Sequence, residues 1–286
     1  MKDYLKLMRV HHYIKNLLVF AVLVCSGQLF DPGKLSVGAA AFAVFCMVSS
    51  AVYIINDICD REKDRRHPTK CNRPIAAGRV SVRGAAILAG VLLGVAGVFS
   101  AIAFRLVPTL LLALYIVLNL AYSFGLKNIP ILDISILVSG FLIRILFGSF
   151  VTGISISNWL YLTVIVFSFY LALGKRRNEL RRISDGETRN VLKSYPESFL
   201  DKTMVMCLTL TNVFYALWSM DEQTKALYNN DYLVFTVPIV LLITLKYSMS
   251  VEGDSDGDPV EVLLHDKILL VLCAMYLAVM FLILYL

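Results

Sequence analysis

The 286-residue chain is short of charge: Asp, Glu, Lys and Arg make up 17% of it, while 58% is hydrophobic. Soluble domains run near 25% charged and roughly 45–50% apolar, so an ordinary water-soluble domain is excluded. The sequence also lacks the helical or strand period of half-buried elements; its apolar residues fall in long blocks instead. Blocks of roughly 18 apolar residues or more read as transmembrane helices. The six cysteines, Cys25, Cys46, Cys59, Cys71, Cys207 and Cys273, are scattered with no disulfide framework. Cys59, His67 and Cys71 lack a fourth ligand and the spacing of an ordinary zinc site. No cleavable leader is expected, because the block from Leu17 to Leu29 has no small-residue cleavage site and many similar blocks follow. No internal repeat is evident, which weighs against a transporter or lipid flippase.

What is present is a series of candidate spans at about 14–30, 38–56, 85–104, 107–124, 131–151, 157–174, 203–220, 232–250 and 267–286. The expected fold class is all-α, a polytopic membrane protein of about nine transmembrane helices. Residues 1–286 are read as a single transmembrane catalytic domain with polar loops at 57–84, 175–202 and 251–266. Gly, Ala and Ser recur inside the spans, as between Gly84 and Gly97, where small side chains let helices approach closely.

The basic residues give an orientation. With a cytoplasmic N-terminus, 23 of the 27 Lys and Arg fall inside. Lys34, Arg105 and Lys225 fall outside, and Arg144 lies within a span. Basic residues accumulate in cytoplasmic loops, so the N-terminus is expected inside, the C-terminus outside and the charged loops on the cytoplasmic face of a cell membrane. The net charge of +6 is mostly this asymmetry and calls for no nucleic-acid partner. Arg144 either faces a cavity or partner within the bundle or snorkels toward the outer surface.

The stretch from Asn56 to Asp64 carries the strongest chemical signal. If the second span continues as a helix, Asp57, Asp60 and Asp64 stand at i, i+3 and i+7 and share a face. Three carboxylates at a helix C-terminus repel one another and oppose the helix dipole. A cation must compensate, and hard oxygen ligands beside a phosphate-bearing substrate suit magnesium. A solvated charge run paired with Arg61, Lys63, Arg65 and Arg66 is the plainer alternative. It leaves the single-face spacing at a membrane helix end unexplained. Pro68 and Pro74 then stiffen a turn carrying Lys70 and Arg73, cations suited to hold the remaining diphosphate oxygens.

Asn56-Asp57-x-x-Asp60-x-x-x-Asp64, followed by Arg73-Pro74-Ile75, resembles the first signature of the UbiA superfamily of intramembrane prenyltransferases. Tyr122-Ser123-x-x-Leu126-Lys127 is similar to that family's pattern after the fourth helix. The resemblance covers nearly the whole chain and implies nine helices around a lipid-open cavity, with Mg2+ as cofactor. The chain departs from quinone- and haem-type members after the sixth span. They carry a second Asp-rich motif there, where this sequence has Gly174-Lys175-Arg176-Arg177-Asn178-Glu179-Leu180. Asp185 and Glu187 follow at the wrong spacing. That basic motif resembles the polyprenyl-phosphate phosphoribosyltransferase branch, as do Lys15-Asn16-Leu17, Tyr195 with Phe199-Leu200-Asp201, and the run from Gly257 through Asp258 and Glu261 to Asp266.

The resemblance implies transfer of 5-phosphoribose from phosphoribosyl diphosphate to a polyprenyl (decaprenyl) phosphate, with inversion at the anomeric carbon. Asp57, Asp60 and Asp64, with Asn56, are the expected catalytic and metal-binding residues. Lys15, Asn16, Lys70, Arg73, Tyr122, Lys127, Lys175, Arg176, Glu179, Tyr195, Asp258 and Glu261 are the expected substrate-binding set. Prenyl transfer from a prenyl diphosphate to an aromatic or other acceptor is the alternative. Asp254, Asp256 and Asp258 do not make an EF-hand, since Pro259 follows and the other ligands are missing. The sequence leaves a homo-oligomer open.

Overall fold

A computed structural model describes residues 2–181, 190–228, 231–253 and 259–285. The described residues contain helices and no strand. Eight helices are long and apolar enough to cross a membrane, and a bent pair at the N-terminus makes a ninth candidate. Asp258, together with Asp185, Glu187, Asp254 and Asp256, lies outside the described residues.

The chain packs as two compact units, residues 1–24 with 28–155, and residues 25–27 with 156–286. The first begins with α1 (Lys2–Met8), a 3₁₀ segment (Val10–Phe20) and α2 (Ala21–Cys25), the last at the boundary between the units. It continues through α3 (Pro32–Cys59), the short α4 (Arg61–Arg66), α5 (Val82–Ala103), α6 (Leu106–Phe124) and α7 (Leu132–Thr152). Local chemistry sets several ends. Asp31 caps α3 by accepting from the Gly33 and Lys34 amides, with Pro32 at the first position. Ser81 caps α5 through the Gly84 amide, and Gly153 ends α7 in the left-handed conformation.

The expected first span differs most. Expected over about 14–30, it is formed instead by α1 joined at Arg9 to Val10–Cys25 with a 42° bend. The close approach of Gly148 explains why the 3₁₀ segment lies tight on α7: a Cβ there would stand 2.0 Å from the Val19 carbonyl oxygen. The core beside it is aromatic, with Phe45 packed edge-on to Tyr115 and Phe147. On α5, Ala85, Ala89 and Ala96 are buried while Ile87, Val91, Val98 and Ile102 are exposed, the division expected of a helix with one packed and one lipid-facing side.

The second unit holds α8 (Asn158–Arg181), α9 (Glu197–Met220), α10 (Glu222–Tyr228), α11 (Val237–Glu252), α12 (Pro259–His265) and α13 (Lys267–Tyr285). Its core gathers Tyr215, Trp218, Leu233 and Met280. The polar loops expected at 57–84 and 175–202 are partly helical. Helix α3 runs through Asp57, and α8 carries the whole Lys175–Leu180 motif before it stops.

Candidate active site

Helix α3 ends at Cys59, and Asp60 joins it to α4 with φ −90° and ψ 3°. The Asp64 amide still donates to the Asp60 carbonyl at 2.9 Å, so Asp57, Asp60 and Asp64 stay close to helical phase across the joint. Asp57 and Asp64 are buried. One nitrogen of Arg73, Nη1, donates to Asp64 Oδ2 at 2.6 Å and to Asp57 Oδ1 at 3.1 Å. Arg9 donates to the same Asp57 oxygen at 2.6 Å. Lys127, in the turn after α6, donates to Asp60 at 2.5 Å. Ser123 donates to the Asn56 side-chain oxygen at 3.0 Å. Asn56, the three aspartates, Arg73 and Lys127 are thus brought together from segments up to 71 positions apart in the sequence.

The three carboxylates do not converge on a common point. Among the described residues no group of three or more His, Cys, Asp or Glu stands ready to hold a metal ion. Mutual repulsion is relieved by protein cations, Arg73 between Asp57 and Asp64, and Lys127 drawing Asp60 to its own side. The donor chemistry nevertheless suits magnesium: carboxylate oxygens are hard ligands, and those of Asp57 and Asp64 already share one positively charged nitrogen.

Lys70 and Tyr122 flank this cluster in sequence, in the 3₁₀ turn Lys70–Asn72 and at the end of α6 beside Ser123. Lys15 is half-buried on the 3₁₀ segment. Asn16 is set apart from the acidic cluster. It is buried, its Nδ2 donates to Cys46 Sγ and Ser49 Oγ, and its oxygen accepts from Arg144 Nε. Its hydrogen bonds thus run to α3 at Cys46 and Ser49 and to Arg144 on α7. Arg144 resolves the same way. It is buried, donates also to the Gly140 carbonyl and the Tyr115 hydroxyl, and lies over the rings of Phe45 and Tyr115. It turns inward and does not snorkel.

In the second unit the basic motif occupies the last turns of α8. Arg176 is buried and donates to Glu179 at 2.6 Å. Arg177 pairs with Asp201 of α9, and its buried Nη1 has no acceptor among the described residues. Asn178 donates to the Val251 carbonyl, Lys175 is half-buried, Tyr195 is buried against Phe199, and Glu261 is exposed on α12. Asp266 accepts from Lys246, Ser250 and the amides of Ile268 and Leu269. The Lys246 ammonium above all, then Ser250, holds its carboxyl well below the usual carboxylate range.

Sequence reasoning passed over Arg9, Ser123 and the tie from Arg177 to Asp201. Ser123 stood within a recognised motif. Arg9 had no signal at all, since nothing in spacing connects it to a carboxylate 48 residues away.

Comparison with known proteins follows the same outline. The sequence profile of the UbiA prenyltransferase family matches residues 17–265. The chain is 37% identical over 281 residues to the decaprenyl-phosphate phosphoribosyltransferase of Mycolicibacterium smegmatis, covering 94% of this chain and 88% of that protein. It is 36% identical over 274 residues to the enzyme of the same name from Corynebacterium glutamicum, covering 94% and 82%. The structure of a UbiA homolog from Archaeoglobus fulgidus bound to GPP and Mg2+ superposes with a TM-score of 0.73 at 16% identity, over 99% of both chains.

Proposed function

This chain belongs to the UbiA prenyltransferase family, and on that premise we propose that it transfers 5-phosphoribose from phosphoribosyl diphosphate to a polyprenyl phosphate in the bilayer. The observation that carries this reading is the near full-length similarity to two decaprenyl-phosphate phosphoribosyltransferases. The basic α8 motif agrees with it, because lysine and arginine suit bare phosphate groups, whereas a second metal-bound diphosphate needs carboxylates.

Asp57 and Asp64, with Asp60 and Asn56 beside them, would hold a magnesium ion. When bound, the ion supplies Lewis acidity to the leaving diphosphate. Arg73 and Lys70 add fixed positive charge where negative charge grows as the anomeric carbon–oxygen bond breaks. A phosphate oxygen of the acceptor lipid attacks that carbon from the opposite face. The diphosphate departs with the bonding electron pair and the centre inverts through an oxocarbenium-like state. The acceptor is already an anion, so no strong general base is required; positioning and electrostatics carry the acceleration. Lys15, Lys127, Lys175 and Arg176 hold the acceptor phosphate and the donor 5-phosphate. Asn16, Tyr122, Glu179, Tyr195, Asp258 and Glu261 are the further residues proposed to bind substrate. The concentration of basic residues on one side supports a cytoplasmic N-terminus and a cytoplasmic site.

Purified protein given labelled phosphoribosyl diphosphate, decaprenyl phosphate and magnesium should release diphosphate and yield a charged lipid. Turnover only with a prenyl diphosphate and an aromatic acceptor would replace this reading with prenyl transfer.

A further inference from the structure

Arg9 joins α1 to the 3₁₀ segment with φ 52° and ψ 49°, a left-handed conformation disfavoured for any residue with a Cβ. The segment is fastened on both sides of this joint. The Ser50 hydroxyl donates to the Met8 carbonyl at 3.0 Å and lies 2.8 Å from the Tyr13 hydroxyl. Ser50 and Asp57 stand at i and i+7 on α3, hence on one face. The anchored joint therefore delivers the Arg9 side chain to Asp57 from a fixed point. Its guanidinium reaches Asp57 through Nη2 and lies over the Tyr53 ring at 5.0 Å. Nη2 makes that bond, and a guanidinium carries five N–H donors in its planar fork.

Asp57 Oδ1 accepts from two guanidinium groups at once, Arg9 and Arg73. With Lys127 on Asp60, the carboxylates Asp57, Asp60 and Asp64 face the cations Arg9, Arg73 and Lys127. The charges balance, so any metal that takes the carboxylates leaves an equal set of protein cations at the same place. A diphosphate arriving with its magnesium would bring both partners: the metal for Asp57 and Asp64, and phosphate oxygens for Arg9 and Arg73.

We propose that Arg9 is a diphosphate-binding residue, which exchanges Asp57 for oxygens of the magnesium-bound leaving group. The identity of that diphosphate rests on the reading under Proposed function. A planar guanidinium favours this exchange, since it pairs with carboxylate and phosphate oxygens through the same geometry.

The test uses the full chain in detergent and two binding measurements that need no turnover. One is equilibrium binding of labelled inorganic pyrophosphate at saturating magnesium; the other is binding of manganese alone, followed by electron paramagnetic resonance. Arg9→Gln should weaken pyrophosphate binding roughly tenfold or more, as expected for loss of a charge-assisted hydrogen bond. The same variant should bind manganese alone at least as tightly as the parent, because a competitor for Asp57 is gone. Arg9→Lys keeps the charge without the fork and should fall between, and it carries the test if the Gln variant does not fold. Unchanged pyrophosphate affinity overturns the proposal. So does parallel loss of pyrophosphate and manganese, which would make Arg9 a prop for Asp57. A parent chain that binds pyrophosphate through Arg9 yet transfers no phosphoribose leaves this inference standing and removes the substrate assignment alone.

Discussion

Arg144 and Asn16, 128 residues apart, meet inside the first unit through a 2.8 Å hydrogen bond from Nε to the amide oxygen. A charge within an apolar span is costly unless its donors are met, and here neutral acceptors and two aromatic faces meet them. Arg144→Met should therefore destabilise the protein although it removes a membrane charge. Asn16 and Tyr115 would each lose a buried partner, at about 1–3 kcal/mol per orphaned group. A melting temperature in detergent equal to the parent's would show that these contacts contribute nothing.

Asp57→Asn should abolish phosphoribosyl transfer while the chain remains folded. The amide keeps the side chain's shape but gives up the negative charge that Arg9 and Arg73 now share. Chelation should silence the parent enzyme in the same assay, and added magnesium should restore it. Near-normal turnover in the variant, or activity that survives the chelator, would remove Asp57 from the metal assignment.

Lys175→Ala should raise the apparent KM for phosphoribosyl diphosphate or for the lipid phosphate. Loss of one phosphate contact amounts to roughly tenfold. Steady-state kinetics with each substrate varied in turn distinguishes the two, and unchanged values for both would exclude Lys175 from the site.

Gly148→Ala should be among the most damaging small substitutions in the first unit. The added methyl would meet the Val19 carbonyl oxygen at 2.0 Å, and the obstacle is backbone. Separating the 3₁₀ segment from α7 should cost on the order of 1–3 kcal/mol, read as a lower melting temperature. Normal stability would mean the segment shifts freely.

Asp266→Asn should lower stability near neutral pH, with a pH dependence of definite sign. The folded carboxyl titrates below its ordinary value because Lys246 and Ser250 favour its ionised form. Its contribution is complete above the unfolded value of about 3.9 and is lost as pH falls through the lower folded value. The gap in melting temperature between parent and variant should thus be constant from neutral pH to about pH 5 and close in stronger acid. A gap that grows on acidification would contradict the assignment.

Much of the fold was legible because lipid imposes a simple condition. Blocks such as 85–104 and 267–286 needed only length and apolarity to be recognised, and they correspond to α5 and α13. The first span was the exception. It was expected over 14–30, whereas the structure joins α1 to Val10–Cys25 through a left-handed joint at Arg9 beside Ser50, Tyr13 and Asp57, and no local propensity encodes that. At the site, the spacing of Asp57, Asp60 and Asp64 announced a shared face. That each carboxylate would be held by its own arrangement of cations was invisible, because Arg9, Arg73 and Lys127 come from three separate stretches of chain.

The sequence by itself determined that this is an all-helical membrane protein, where its acids and bases lie along the chain, and which family motifs it carries. Those properties follow from composition and short-range period, which act without knowledge of distant residues. Only the tertiary structure decided that Arg144 and Asn16 satisfy each other inside the protein, and that Arg9 reaches Asp57. Such pairings are chosen by close packing of helices remote in sequence, and the free energy of a buried charge depends on the neighbours that packing supplies.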